Sequence, residues 1–186
     1  MAGAFVAIVG PSGAGKDTLI AHARAALAGD PAFLFVRRMV TRGANAFEDH
    51  DTIDEATFAA GHASDGFALS WRAHGLGYAL PAATRDAVES GTVAICNLSR
   101  GVLAEARRRF PRVVVVFVTA PPDVIAGRLA ARGRESEAAI RERLAREAAF
   151  CDPIGADLTV MNDRPVEVTS GELVTFLSRL KEAQDA

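Results

Sequence analysis

Gly10-Pro11-Ser12-Gly13-Ala14-Gly15-Lys16-Asp17-Thr18 is the stretch that decides the fold of this 186-residue chain. Residues 4–9, just before it, are continuously apolar and rich in β-branched side chains, as a buried strand requires. Residues 17–27, just after it, read as a helix with Leu19, Ile20, Ala23, Ala26 and Leu27 on one side. Strand, glycine-rich turn and helix together are the setting of a phosphate-binding loop. The glycines let backbone N–H groups turn inward around a polyphosphate, and the helix N-terminus adds positive potential. Lys16 reaches the β- and γ-phosphates as a mobile point charge. All nine residues are therefore assigned to ATP binding, and Lys16 to catalysis as well. The usual pattern has Ser or Thr at position 17, with its hydroxyl on Mg²⁺. Here Asp17 stands there, followed by Thr18, and Asp17 becomes the candidate Mg²⁺ ligand, directly or through water.

Working outward, the length suits one domain able to bury a sizeable core. A net charge of −2 gives no reason to expect nucleic-acid binding. Cys96 and Cys151 are too few and too far apart for a disulfide framework or a metal knuckle, and they read as reduced thiols in a cytoplasmic protein. No apolar run approaches membrane-spanning length, so no membrane partner is expected. The first strand begins almost at residue 1, which leaves no room for a signal peptide. The expected partner is a small molecule; a monomer and a homodimer both remain open. All but Lys16 and Lys181 of the 21 basic residues are arginine. Arginine suits bidentate phosphate contacts, but its abundance here means each one needs a positional argument.

Strand-like and helix-like segments alternate, which predicts an α/β fold with a parallel sheet between two helical layers. Strands are expected at 5–9, 33–40, 67–72, 92–96, 113–118 and 157–161. Helices are expected at 17–27, 54–60, 81–90, 100–110, from 121 onward, at 135–150 and at 169–181. The turn 74–78 contains Tyr78, the sole tyrosine. Segment 37–80 is irregular and contains several aromatic, histidine and arginine residues. It is expected to fold over the carboxyl ends of the strands, where open parallel sheets bind ligands, and to hold a second substrate. The core is then 1–36, 81–130 and 151–186, with an acceptor-binding insertion at about 37–80 and a lid at about 131–150.

Candidate chemistry concentrates at a few positions. Arg132-Gly133-Arg134-Glu135-Ser136 lies in a glycine-containing turn between two helices, where a lid would hinge. Phosphoryl transfer spreads charge over the transferring oxygens, so arginines delivered by a closing lid suit it. Arg132, Arg134 and Arg143 are the catalytic candidates, while the same charges also fit a solvated helix. Arg42, at a strand end after Thr41, is preferred over Arg37 and Arg38 for anchoring an acceptor phosphate, and Tyr78 is placed to donate to it. Trp71 reads as core, His22 as surface, and His50, His62 and His74 lack metal-ligand spacing. The turn Asn162-Asp163 is the position considered for adenine. Strand 92–96 runs into Asn97, where phosphate-loop enzymes commonly have an aspartate that supports Mg²⁺. The two departures are read as one exchange, with the carboxylate absent at Asn97 supplied by Asp17.

The loop, Thr41-Arg42, residues 67–78 and Arg132–Ser136 with Arg143-Leu144 resemble, in order, the guanylate-kinase-like branch of the nucleoside monophosphate kinases. That resemblance implies a phosphate-loop NTPase fold of three α/β/α layers, with an acceptor-binding insertion and an arginine-bearing lid. Guanylate kinases place an acidic, guanine-reading residue before the tryptophan, where Ser70 stands here. They also place a second arginine three residues after the first, where Asn45 stands. Gly15-Lys16-Asp17-Thr18-Leu19, Arg37-Arg38 with Thr41-Arg42, Phe67-Ala68-Leu69-Ser70-Trp71 and Asn97-Leu98-Ser99-Arg100 more closely resemble the ribose 1,5-bisphosphate phosphokinase family of phosphonate utilisation. The resemblance implies transfer of the ATP γ-phosphoryl to ribose 1,5-bisphosphate, giving 5-phospho-α-D-ribose 1-diphosphate. Arg42, Tyr78, Asn97, Ser99 and Arg100 would bind the sugar bisphosphate. A guanylate kinase with an altered base site, a kinase for another small phosphate acceptor, and an inactive protein-binding module are the alternatives.

Overall fold

A computed structural model of the chain describes residues 2–43, 50–73, 75–131 and 155–185. Five strands form a wholly parallel sheet in the order β2-β7-β1-β8-β9. These are β1 (Ala4–Val9), β2 (Phe33–Phe35), β7 (Val93–Asn97), β8 (Val113–Thr119) and β9 (Leu158–Met161). All of β1 is buried, as its unbroken apolar run requires of a central strand covered on both faces. Its alternate side chains feed two cores. Ala4, Val6 and Ile8 pack with Leu19, Ile20 and Ala23 of α1 (Lys16–Ala26) and with Leu173 and Leu177 of the last described helix, α6 (Val166–Asp185). Phe5, Ala7 and Val9 face the opposite way, toward Val88 of α3 (Ala83–Glu89) and Leu103 and Ala106 of α4 (Leu103–Arg109). The three-layer α/β/α expectation therefore holds.

The segment 33–40, expected as one strand, is divided between two sheets. Its first part is β2, at one edge of the parallel sheet; Val36 N–H continues the ladder by donating to Ile95 O at 2.9 Å. Arg37 and Arg38 then carry the chain across, and β3 (Met39–Val40) joins a second sheet ordered β4-β3-β6-β5. Its other strands are β4 (Asp51–Thr52), β5 (Phe67–Ala73) and β6 (Leu76–Pro81). The chain thus leaves one sheet and enters the other beside the carboxyl end of β2.

Two further expectations are corrected here. Tyr78 lies within β6, not in a turn, and Pro81 ends that strand instead of opening the next helix. The chain reverses earlier, at Gly75, whose φ is 75°. Gly77 has a packing reason instead: a Cβ there would lie 2.7 Å from the ring of Phe58 on α2 (Glu55–Ala63). Asp54 caps α2 through Thr57 N–H at 2.8 Å. Arg109 pairs with both Asp65 and Glu105, and its bond to Asp65 holds that carboxyl below the usual range; this ties the α2–β5 turn to α4. The short helix Arg100–Val102 and α5 (Pro122–Ala131) complete the described elements. The expected helix at 135–150 lies outside the described residues.

Candidate active site

The carboxyl ends of β1, β7 and β8 share a core with the Trp71–Tyr78 face of the second sheet, its inner face, and the space between the phosphate loop and that face is the candidate cleft. On its floor, the phosphate loop leaves β1 and enters α1. Gly15 is the N-cap residue of α1 at φ 90° and ψ 17°, a left-handed conformation that costs an L side chain. The Lys16 ammonium spans the loop, donating to Gly10 O and Pro11 O, each at 2.9 Å. Asp17 and Thr18 sit exposed on the first turn of the helix.

Asp17 and Asn97, singled out from distant parts of the chain, meet directly. Asn97 ends β7, and its Nδ2 donates to Asp17 Oδ1 at 2.6 Å. Neighbouring Cys96 is 1% exposed, and burial pushes its thiol up to about 12. Arg38 draws that value down and Asp17 pushes it up, so the two charges act on the same strand end. The thiol stays protonated and packed, without nucleophilic character.

The second sheet forms the opposing wall. Paired residues in a sheet share a face, and Trp71 pairs Tyr78 while Leu69 pairs Leu80. All four side chains turn toward the core that backs the cleft. Tyr78 stacks on Trp71 with ring centroids 5.3 Å apart and planes 9° apart. Val40 pairs Tyr78, so alternation puts Arg38 on this inner face too, and its Cζ lies 5.9 Å from the Tyr78 centroid. Trp71 is both core, as expected, and a neighbour of the cleft.

Ser70 occupies the other face, with its partner Ala79. There Phe58 packs against Ala79, and His62 Nδ1 lies 2.8 Å from Ser70 Oγ. Arg72 also belongs to that face: it lies over Phe58, Cζ 4.8 Å from the ring, and pairs with Glu55. The position read as the remnant of a base-reading site therefore turns away from Tyr78. Among the described residues, the inner face of the second sheet has no carboxylate.

The remaining described candidates are Arg42, Ser99 and Arg100. Thr41 is tied to Gly77 twice, through Thr41 N–H to Gly77 O at 3.0 Å and Gly77 N–H to Thr41 Oγ1 at 2.8 Å. Arg42 follows it, part-buried, its carbonyl accepting from Thr52 Oγ1 at 3.3 Å. Ser99 is exposed where the chain leaves β7, and Arg100 opens the short helix after it. Arg132, Arg134 and Arg143 lie outside the described residues.

Sequence reasoning passed over Arg38 in favour of Arg42. The available signal was parity: Arg38 shares a strand face with Val40, beside the chain crossing. It also passed over Arg128, on α5, whose guanidinium donates to Asn162 O at 2.9 Å. Asn162 is not an open surface for adenine: it is 5% exposed, and its amide is engaged with the phosphate loop.

No protein-family model matches the chain. Its relatives are nevertheless specific. The chain is 54% identical over 177 residues to a ribose 1,5-bisphosphate phosphokinase from Methylobacterium radiotolerans, covering 95% of this chain and 98% of that protein. It is 50% identical over 179 residues to the protein of the same name from Brucella abortus, covering 96% and 93%. Among solved structures, a guanylate kinase from Anaplasma phagocytophilum aligns with a TM-score of 0.67 at 17% identity, covering 97% of this chain and 87% of that one. That similarity establishes the kinase fold, while the sequence relatives narrow it further: the chain belongs to the ribose 1,5-bisphosphate phosphokinase family.

Proposed function

We propose that this protein transfers the γ-phosphoryl group of ATP to the 1-phosphate of ribose 1,5-bisphosphate, forming 5-phospho-α-D-ribose 1-diphosphate and ADP. The observation that carries the reading is the wall facing the phosphate loop. It presents Arg38 and the Tyr78–Trp71 stack and, among the described residues, no carboxylate to read a base. An acceptor with two phosphates and no base needs cations and hydroxyl donors. Family membership independently points to the same acceptor.

An acceptor phosphate is already anionic at neutral pH, so its oxygen can attack the γ-phosphorus without a general base. As the new P–O bond forms, the bond to the β-phosphate oxygen breaks and ADP leaves. The protein's task is alignment and charge stabilisation. Lys16 supplies a cation to the β- and γ-oxygens in place of its two loop carbonyls. Arg38 and Tyr78 hold the acceptor phosphate from the opposite wall, and Arg42, Ser99 and Arg100 hold the rest of the sugar bisphosphate. Arg132, Arg134 and Arg143 are assigned to a lid that closes over the γ-phosphoryl group. The substrates are those of a cytoplasmic enzyme.

The residues present fit Mg²⁺ as a partly substrate-held ion. Among the described residues no three acidic, histidine or cysteine side chains converge. Asp17 keeps its second carboxylate oxygen after bonding Asn97 and is exposed. One carboxylate with water and phosphate oxygens is a set Mg²⁺ accepts. When bound, the ion neutralises charge on the β- and γ-oxygens.

The assay that tests the reading compares ATP consumption with ribose 1,5-bisphosphate and with GMP, the first being expected to react and the second not. Two variants sharpen it. Arg38→Met is expected to raise the acceptor KM about 10- to 100-fold, the scale of one lost charge-assisted hydrogen bond, with ATP KM within twofold. Ser70→Glu is expected to create no GMP turnover, because its carboxylate would meet His62 on the α2 face. Measurable GDP formation by that variant would contradict the face assignment.

A further inference from the structure

A carbonyl of the phosphate loop is held from outside the loop by two side chains from remote parts of the chain. Asn162 follows β9, and its backbone N–H donates to Thr119 O at 2.7 Å, which fixes it to the end of β8. Its side-chain Nδ2 donates to Ala14 O at 2.7 Å. Arg128 reaches the same oxygen through NH1 at 3.4 Å, while its NH2 holds the Asn162 carbonyl at 2.9 Å. Three groups thus brace one another, and Asn162 is 95% buried among them (5% exposed). The fit is close on the loop side as well. A Cβ on Gly15 would lie 2.3 Å from Asn162 Nδ2, and one on Gly13 would lie 3.0 Å from Leu129 of α5.

We propose that Asn162, supported by Arg128, is a positioning residue that sets the orientation of the Ala14–Gly15 peptide for triphosphate binding. In a trans peptide, C=O and N–H point in opposite directions. With Ala14 O pinned to Asn162, the Gly15 N–H is turned into the loop. Among the described residues it donates to no protein acceptor. A peptide free to flip would instead present a carbonyl oxygen to the phosphates, converting one attraction into a repulsion. Asn162 acts from the buried side and touches no substrate in this role. The inference rests on the loop being the triphosphate site, and it goes beyond the assignment of the acceptor.

The test measures binding of Mg²⁺-ATP and of Mg²⁺ with inorganic triphosphate by calorimetry, for the wild type and for Asn162→Ala, Asn162→Asp and Arg128→Gln. Inorganic triphosphate has no base, so it reports on the loop alone. Asn162→Asp sets a carboxylate against the Ala14 carbonyl and is expected to weaken both ligands tenfold or more, with Asn162→Ala and Arg128→Gln weakening both by smaller factors. The acceptor KM is expected to stay within twofold, a split that general destabilisation would not produce. If the Asn162 variants do not fold, half-buried Arg128 carries the same comparison. Loss of ATP binding alone would make these residues base contacts and overturn the proposal, as would unchanged binding of both ligands. Wild-type protein that fails to bind inorganic triphosphate would overturn the reading of the loop together with the proposal. Failure of ribose 1,5-bisphosphate as the acceptor leaves this binding test intact.

Discussion

Lys16→Met is expected to lower kcat/KM for ATP by about a thousandfold, the upper range for removing one donor to developing charge in a closed site. Among the described residues, the ammonium donates to two carbonyls of its own loop. Losing them costs on the order of 1 kcal/mol each, far less than is needed to unfold a domain with this core. The thermal midpoint is therefore expected to move by only a few degrees, while turnover collapses. Phosphates compete with the loop carbonyls for a single cation, so the substitution removes the charge that follows the transferring group and leaves the scaffold. Melting and steady-state rates on the same preparation separate the two effects. A variant that retains a tenth of wild-type kcat/KM would remove Lys16 from the mechanism.

Asp17→Ala is expected to raise the Mg²⁺ concentration needed for half-maximal activity at least tenfold and to lower kcat/KM about a hundredfold. Asn97 Nδ2 donates to Asp17 Oδ1 at 2.6 Å. An amide donor at that strand end orients a carboxylate without competing for a cation. The negative charge therefore comes from α1, not from β7. Asn97→Asp alone sets two carboxylates in contact, and like charges at that distance cannot both ionise without penalty. It is expected to impair activity at low Mg²⁺. The double exchange Asp17→Ser with Asn97→Asp restores one carboxylate and is expected to recover much of the loss. If Asp17→Ala shows wild-type Mg²⁺ dependence, the exchange is not what these residues do.

Much of this arrangement was legible in the chain itself. The loop is local, so its glycines and flanking apolar runs suffice to read strand, turn and helix. Continuous apolar runs likewise revealed the parallel sheet, because strands covered on both faces have no polar side to show. The split of 33–40 between two sheets was not legible, since an apolar segment does not state which sheet each half joins. Glycine misled around Tyr78. Gly77 reads as a turn residue, but it is in a strand because Phe58 occupies the space of its side chain. Asp17 and Asn97 are linked in the sequence through a missing carboxylate, but the hydrogen bond between them was not legible there. Ser70 faces away from Tyr78 because it alternates with Trp71 along β5; that Tyr78 shares the Trp71 face was not legible, since it depends on the register of β5 with β6. Arg38 and Asn162 are singled out in the sequence, but their contacts were not legible because they depend on partners far away in the chain: Tyr78 for one, Ala14 for the other.

The central claim is that this cleft joins a phosphoryl group to a phosphate of a base-free sugar bisphosphate. Phosphorus NMR of the protein with ATP, Mg²⁺ and ribose 1,5-bisphosphate tests it most directly. The account predicts loss of the 1-phosphate resonance and growth of a coupled pair of diphosphate resonances alongside ADP, with the 5-phosphate unchanged. ATP and ribose 1,5-bisphosphate both persisting unchanged, while GMP in a parallel sample is converted to GDP, would contradict it.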